Sequence, residues 1–510
     1  MIRGLFNRIF PSRAIVSELW GQRSYLLGKL SDLVSKMDQN ATSRTADQIL
    51  SCDGPRMRER LRALARNNQL TAAIVDYTRR RVVGSRGIWP QVKTASETLN
   101  KEIEKRFRRA SRKMDLKGFR SWKGLQDTWV EEQLVCGEAF SYTAIYNGRL
   151  VVEPFEPEQL SSWLYKSKAT GNLVQDGIEY DSFGVPVAYW VNKITPGMPI
   201  TESERIDASR VQHIFRASRP TQFRGESEFS QTAVGIFDTS DANYAELMAL
   251  RAAAYFGIHI KPDAGMPGSV AGSLPTSLGA RTDATTNELK WSMKPGGINT
   301  VPAEVNLLDG KRPGNQFVPF VTSIMQGIAA RHAAPYWAIS GDTSKANYSS
   351  SRVAELPARD RYREWQERLI EQALREVFKQ WLEFEILANG LRARGYTVDD
   401  IIEMTEWQRP GFEWVDLDAE ANAVQFQIKH GLLTWSQAVA EKGRDPREQM
   451  EAIKADKALS DELGVKIPIC GETMGELIAE NIVTESANKQ NATDPQADPA
   501  AADPAQEATA

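Results

Sequence analysis

Cysteine and histidine are scarce in this sequence of 510 residues, which contains three cysteines and four histidines. Cys52, Cys136 and Cys470 lie far apart and form no CxxC pair. A disulfide framework or a thiolate zinc site is therefore not expected, and the free thiols fit assembly in a reducing cytoplasm. We interpret Cys136, in an apolar helical stretch, as a core residue rather than as a nucleophile activated by His213.

Long apolar runs are also missing. None approaches the ~20 residues that a membrane-spanning helix needs, so no membrane partner is expected. Residues 1–20 alternate arginine with bulky apolar residues, which favours a short amphipathic helix over a secretory signal.

The sequence motifs of common enzyme chemistry are absent. There is no GxxxxGK[ST] loop for nucleotide phosphates, and neither HExxH nor GxSxG occurs. Neighbouring carboxylates, such as Asp399 and Asp400, are typical of helix caps and solvated surface. We therefore expect no enzyme, no catalytic residue, no metal and no cofactor, with a site dispersed along the sequence as the alternative.

Charge is unevenly distributed, although the net charge is only −3. Residues 1–125 hold 27 of the 63 basic and 11 of the 66 acidic residues, which leaves 36 basic and 55 acidic residues in the remainder. Two arrangements are compatible with this asymmetry. The basic and acidic parts form surfaces for different partners, or both are solvated faces of one domain.

Apolar spacing predicts an α+β fold that is predominantly helical. A helix over residues 61–81 restarts near Thr71, and a second helix runs from Trp122 to a stop at Gly137. Short β-rich runs follow, separated by Asn147–Gly148 and by Gly184. They cover residues 140–145, 150–155, 185–191 and 211–215.

The second half of the sequence returns to helical spacing. Helices are predicted over residues 227–256 and 317–333, on either side of a segment rich in Gly and Pro. The longest helix is predicted over residues 357–388, with Pro357 in its first turn. A small helical unit covers 413–465, and the Ala/Asp/Pro-rich residues 484–510 are predicted to be disordered.

Two segments carry a more specific pattern. The first joins a hydrophobic strand containing a histidine to a basic turn, at Val211, His213, Phe215, Arg219, Pro220, Gln222, Arg224 and Gly225. The second reads Gly-Asp, then Asn-Tyr-Ser-Ser-x-Arg, at Gly341, Asp342, Asn347, Tyr348, Ser349, Ser350 and Arg352. In their order and spacing these segments resemble the lambda-type phage portal family. Weaker similarities at residues 184–190 and 431–434 extend the resemblance over about residues 60–465. The sequence departs from the family at Ala333–Ala334–Pro335, where the family has a Gly-x-Pro turn.

The resemblance implies a subunit with wing, stem, clip and crown regions, in a dodecameric ring that channels DNA at one capsid vertex. The implied regions are a basic helical arm (1–60), wing (61–226), stem helix (227–256), clip (257–316), second stem helix (317–340), tunnel loop (341–352), long helix and wing (353–412), crown (413–483) and disordered tail (484–510).

The resemblance also implies partners and a location. The partners are further copies of the chain, the terminase large subunit, the major capsid and scaffold proteins, a head-tail connector protein and double-stranded DNA bound without sequence preference. The ring is assembled in the host cytoplasm and resides in the virion.

The predicted tunnel loop has a composition that suits a sliding contact. Each phosphate that a cation neutralises adds to DNA affinity, whereas hydroxyls and amides touch phosphate without reading sequence. The loop offers mostly hydroxyls and amides, with Lys345 set against Asp342. Its candidate residues are Asp342, Thr343, Ser344, Lys345, Asn347, Tyr348, Ser349, Ser350 and Arg352.

Simpler roles are also compatible with these residues. The loop also suits an ordinary surface loop, with Ser350 or Ser351 capping the next helix. The arginines of the turn 219–224 either bridge subunits or are solvated. For the whole chain, the alternatives are another virion structural protein, such as a minor head or adaptor protein, and a cytosolic hydrolase.

Overall fold

A computed structural model describes most of the chain between residues 45 and 464. The described residues are 45–162, 164–167, 169–193, 202–255, 259–260, 280–282, 289–291, 299–300, 316–342, 344, 348–412 and 417–464. The predicted basic arm up to residue 44 and the predicted tail lie outside them. The chain divides into two compact units, with the boundary after Leu417.

The first unit begins with two consecutive helices, α1 (Ala46–Asn67) and α2 (Gln69–Val83). Asn68 separates them: its side chain accepts hydrogen bonds from the amides of Leu70 and Thr71, both at 3.0 Å, and so caps α2. The predicted restart near Thr71 is thereby confirmed.

Two helices and two small sheets follow α2. The helices are α3 (Glu97–Ala110) and α4 (Trp122–Cys136), and α4 ends at Gly137 in a left-handed conformation with φ 91°.

The three-stranded sheet is antiparallel, and its strand order is β3 (Arg149–Phe155), β2 (Glu138–Tyr146), β8 (Val211–Phe215). A four-stranded antiparallel sheet comprises β4 (Leu173–Gln175), β5 (Ile178–Tyr180), β6 (Pro186–Asn192) and β7 (Ser203–Asp207). The predicted β-rich layer is confirmed, and Asn147 and Gly148 turn the hairpin with φ 49° and 68°.

The middle of the chain contains a pair of packed helices. They are α5 (Ala233–Tyr255) and α6 (Phe317–Arg331), and Gly235 of α5 lies against Ile324 and Ile328 of α6. Four short strands are described between these helices: β9 (His259–Ile260), β10 (Ala280–Thr282), β11 (Leu289–Trp291) and β12 (Asn299–Thr300). The short helix α7 (Tyr336–Ser340) follows α6.

A long helical stretch then crosses the unit. It consists of α8 (Tyr348–Leu369), a π-helical turn (Ile370–Leu374) and α9 (Arg375–Ala388). The helix begins at Tyr348, before the predicted start, so Pro357 lies inside α8 and the placement of Pro357 in the first turn was wrong. Pro357 removes one backbone hydrogen bond. Burial of the apolar side chains that follow stabilises the helix despite this loss: Ala358, Tyr362, Trp365 and Leu369.

The core of the first unit forms where α3, α4 and the long helical stretch meet. Phe107 makes edge-to-face contacts with Trp122, Phe378 and Trp381, with ring centroids 4.9 to 5.3 Å apart. The short helix α10 (Val398–Glu403) and strand β13 (Thr405–Gln408) close this core, and β13 pairs with β1 (Trp89–Val92).

Ion pairs join the basic N-terminal part of the sequence to the acidic part. They are Arg58 with Glu138 and Glu158, Arg62 with Glu132, Arg79 with Asp127 and Glu131, Arg81 with Glu355, and Arg106 with Glu385. In the described part of the first unit, the charge asymmetry along the sequence therefore becomes charge pairing within the fold.

The second unit is a set of three helices, α11 (Leu417–Lys429), α12 (Trp435–Glu441) and α13 (Pro446–Leu463). Thr434 caps α12 and exchanges hydrogen bonds with Gln437, and Asp445 caps α13. The predicted helical unit over residues 413–465 is confirmed for the residues described. Among all the described helices, none has the length and apolar character that crossing a membrane requires.

Candidate functional site

Glu138 is the centre of a buried charge cluster. It is the first residue of β2, directly after the turn at Gly137, and its side chain is fully buried. The guanidinium of Arg224 donates from Nε to both carboxylate oxygens, at 3.0 and 2.9 Å, and from Nη2 to Oε1 at 2.6 Å. Burial by itself raises the pKa of Glu138, but Arg224 and His213 outweigh it and hold the pKa well below its usual range. Glu138 is therefore ionised.

His213 completes this cluster as a neutral imidazole. Burial lowers its pKa, although Glu138 opposes the shift. A neutral ring that donates from Nε2 to Glu138, 3.3 Å away, leaves Nδ1 to accept from the hydroxyl of Tyr189 at 3.3 Å. The ring also stacks between Phe140 and Phe215, with centroids 4.2 and 4.3 Å away.

The backbone of Gly225 packs directly on the turn at Gly137. Its amide donates to Oε2 of Glu138 at 2.9 Å. A Cβ added to Gly225 would lie 2.1 Å from the carbonyl oxygen of Gly137, which is far inside van der Waals contact. Only glycine fits this approach of two backbone segments.

The turn before Arg224 is closed by Gln222. Its side-chain oxygen accepts from the amides of Ser218 and Arg219 at 2.9 and 3.2 Å, and its Nε2 donates to the carbonyl of Arg224 at 2.7 Å. The amide of Gln222 donates to the carbonyl of Arg219 at 3.1 Å, which places exposed Pro220 at the second position of a β-turn.

A helix from the start of the unit anchors the same turn. Asp47 of α1 accepts from the amides of Phe223 and Arg224 at 3.0 and 3.1 Å. Four of the five motif residues predicted in this segment, namely His213, Gln222, Arg224 and Gly225, thus meet around Glu138 or in the turn beside it. Glu138 and Asp47 were not predicted, because their importance depends on the partners that the fold brings to them.

The predicted tunnel loop starts where α7 ends. Gly341 adopts a left-handed conformation with φ 72° and ends α7. The hydroxyl of Ser340 accepts from the amide of Asp342 at 3.1 Å, and Asp342 accepts from the amide of Ser344 at 2.9 Å. Asp342 and Ser344 are both exposed. The side chains of these loop residues are therefore presented to solvent by a short, hydrogen-bonded turn.

The remaining loop candidates divide into two groups. Thr343, Lys345 and Asn347 lie outside the described residues. Tyr348, Ser349, Ser350 and Arg352 belong to the first turns of α8. The helix therefore starts before Ser350 and Ser351, so the prediction that one of these serines caps it was wrong.

Both ends of the loop are attached to the core. Ile339 of α7 is buried, and the hydroxyl of Tyr362 in α8 donates to the carbonyl of Ala333 at 2.8 Å. Ala333 has φ 51°, a conformation that favours glycine. Glycine, which the resembled family has at this position, adopts such a conformation without strain.

In the part of the chain described by the structure, no cluster of His, Cys, Asp or Glu is arranged to hold a metal ion.

Cys136 is buried, and burial together with the charge of Glu132 raises the pKa of its thiol above the usual range. His213 is committed to Glu138 and Tyr189. The described residues therefore provide no activated thiol at Cys136.

Comparisons with known proteins show the family of this chain. The model of the family "Phage portal protein, lambda family" matches residues 35–366, which include both motif segments. The chain therefore belongs to the lambda family of phage portal proteins. Over 464 residues it is 24% identical to a "Probable portal protein" of Halomonas phage phiHAP-1, with 88% of each chain covered.

Solved structures give weaker similarities. One is titled "Neck of empty GTA particle computed with C6 symmetry", with a TM-score of 0.44 and 14% identity over 76% of this chain and 94% of that one. Another is titled "Neck of native GTA particle computed with C12 symmetry", with a TM-score of 0.40 and 14% identity over 75% of this chain and 93% of that one.

Proposed function

We propose that this chain is the portal subunit of a tailed phage. Twelve copies form a ring at one vertex of the capsid, through which DNA enters during packaging and leaves during ejection. Membership of the lambda portal family supports this function. The terminase large subunit, the capsid and scaffold proteins and a head-tail connector protein would dock on the ring, and ATP hydrolysis would belong to the terminase.

The main observation that supports ring formation is the exposed apolar surface of α5 and α6. In the single subunit, α5 exposes Phe237, Tyr244, Leu247, Met248 and Leu250, and α6 exposes Val318 and Phe320. An exposed apolar surface of this kind is typical of a protein interface. We assign these helices as the stem, where neighbouring copies pack.

The loop between α7 and α8 supports the channel part of the proposal. Asp342 and Ser344 are exposed, and the sequence between Gly341 and the helix contains a single cation, Lys345. A lining with few cations lets DNA slide because it neutralises few phosphates. We assign the loop residues to the inner wall of the ring, where hydroxyls and amides contact the DNA backbone.

Imaging of the purified full-length protein by negative-stain microscopy, together with native mass spectrometry, tests the ring. We expect closed rings of twelve copies. A monomer or dimer under every assembly condition would overturn the proposal.

A pair of substitutions locates the interface. Phe237→Asp places a charge on the exposed face of α5, and we expect it to prevent ring formation while the subunit stays folded. Phe183→Asp is the matched control, because Phe183 is 90% exposed and lies in the turn between β5 and β6 rather than on α5 or α6. Loss of rings in the control, or normal rings in Phe237→Asp, would contradict the assigned interface.

A further inference from the structure

The end of α3 and the 3₁₀ turn that continues it (Ser111–Lys113) carry a row of exposed positive charges. Six cations and no acid lie between Glu104 and Asp115 along the sequence. Arg106 pairs with Glu102 and Glu385. Four of the other cations are exposed and form no ion pair with the residues that the structure describes: Lys105, Arg109, Arg112 and Lys113. These four cations, which we call the basic stripe, take no part in the charge pairing that joins the basic and acidic parts of the fold.

Helical spacing places the basic stripe on one side of α3. Lys105, Arg109 and Arg112 follow one another at steps of four and three residues, which share a helix face, and Lys113 adjoins them. At ~1.5 Å per residue, the row from Lys105 to Arg112 is about 10 Å long. Phe107 is buried in the aromatic core on the other side of the helix. The stripe therefore faces solvent while the opposite side of α3 is held in the core.

The backbone that carries the basic stripe is fixed at its C-terminal end. The hydroxyl of Ser111 donates to the carbonyl of Arg108 at 2.9 Å, and the side chain of Met114 is buried. The carbonyl of Met114 accepts from the amide of Val152 in β3 at 2.7 Å. Because this backbone is already ordered, binding a ligand costs little additional conformational entropy.

The basic stripe lacks the apolar centre of a protein interface. Between Val92 and Gly118 no large apolar side chain is exposed. The centre of a protein interface, in contrast, is normally apolar and depleted of charge. The nearest exposed aromatic residue along the chain, Phe119, follows the turn in which the amide of Gly118 donates to the carbonyl of Asp115. Closely spaced cations without an apolar centre are typical of a surface that binds nucleic-acid phosphate.

We propose that the basic stripe binds the phosphate backbone of double-stranded DNA without sequence preference. Duplex DNA carries one charge per ~1.7 Å of axis, so a row of cations about 10 Å long faces several phosphates at once. This contact is distinct from the predicted tunnel loop, whose segment has the single cation Lys345. Four adjacent cations hold DNA, whereas a lining with few cations lets it slide. The choice of double-stranded DNA as the polyanion rests on the proposed function.

The salt dependence of DNA binding tests this contact. The stripe variant combines Lys105→Gln, Arg109→Gln, Arg112→Gln and Lys113→Gln in the full-length chain. Its binding to a short fluorescent duplex is measured by anisotropy over a series of salt concentrations, beside the wild type. Each neutralised phosphate contributes about 0.9 to the slope of log affinity against log salt, so the stripe variant should lose about 3–4 from that slope. Raising the salt from about 50 to about 200 mM should then weaken binding by the wild type about 100-fold more than binding by the variant.

The matched control removes four cations from separate segments of the same unit, with the same change in net charge. These cations are exposed and form no ion pair with described residues, and each is replaced with glutamine: Arg56, Arg86, Arg149 and Lys166. We expect the control to keep most of the wild-type slope, because its cations lie far apart along the chain. Equal losses of slope in the two variants would show a general effect of net charge and would overturn the stripe.

A wild-type slope in the stripe variant would also overturn the proposal. If that variant then unfolds at a lower urea concentration, the cations stabilise the C-terminal end of α3, where positive charge is favourable. If it instead fails to form rings, the stripe contacts another protein. Loss of slope in the stripe variant, together with a wild type that never forms rings, would support the DNA contact and refute the ring of the proposed function.

Discussion

Arg224 holds both carboxylate oxygens of Glu138 inside the protein, and so ties the motif segment after β8 to the first residue of β2. The same carboxylate receives the amide of Gly225 and Nη1 of Arg58. A turn and two strands thus depend on one buried anion. Removal of Arg224 would leave the buried carboxylate with only the longer contact to Arg58, at 3.4 Å, as compensation from a guanidinium.

Arg224→Met is therefore expected to destabilise the subunit by about 3 kcal/mol, which is typical of breaking a buried ion pair. Urea unfolding of the subunit measures this loss. The double variant Glu138→Met with Arg224→Met removes both charges and should lose less than the sum of the single changes. Strict additivity of the two substitutions would show that the residues do not act as a pair.

Because the side chain of His332 is buried, we expect the free energy of unfolding of the subunit to depend on pH. Burial lowers its pKa from 6.5 to about 3, and the charges of Arg331 and Arg361 contribute in the same direction. Since the folded pKa lies below the unfolded value, the neutral ring stabilises the fold fully above pH 6.5, and this stability is lost as the pH falls toward 3. The slope approaches about 1.4 kcal/mol per pH unit in that window.

Urea unfolding at a series of pH values between about 7 and 4 measures this slope. The hydroxyl of Thr232 lies 2.9 Å from Nε2 of His332. In His332→Gln, whose amide can still form a hydrogen bond with that hydroxyl, the contribution should disappear. A slope that is the same in the variant and the wild type would assign the acid sensitivity to other groups.

Ala333→Gly is expected to stabilise the subunit by about 0.5–1 kcal/mol, because Ala333 has φ 51°, where an L side chain is strained and glycine is not. Thermal unfolding of the subunit checks the sign. Ala334→Gly supplies the contrast, because Ala334 is buried and no left-handed conformation occurs there, so that substitution should destabilise.

Lys345→Glu tests whether the loop between α7 and α8 contacts DNA. Replacing the single cation of the segment with an acid adds repulsion toward phosphate, so we expect DNA packaging or retention to fall while rings form normally. Packaged DNA per particle and ring yield are measured in parallel. If rings fail to form, the loop contributes to assembly instead of to the DNA contact.

Local signals in the sequence were sufficient for several elements. Asn147–Gly148 predicted the β2–β3 hairpin, because both positions require positive φ. Gly137 predicted the end of α4 for the same reason. Local signals failed at Pro357, where the preference of proline for a first turn was outweighed by burial of one face of α8. The predicted clip, residues 257–316, remains a prediction.

The sequence by itself determined the motif residues, the family and many of the helices and strands, since these follow from local preferences and from spacing along the chain. Only the tertiary structure decided which charges are neutralised. Asp47, Glu138 and Arg224 are distant in sequence, and Glu228 is distant from its partners Arg331 and Arg361. A charge finds its partner through space, so the tertiary contacts decide these pairings.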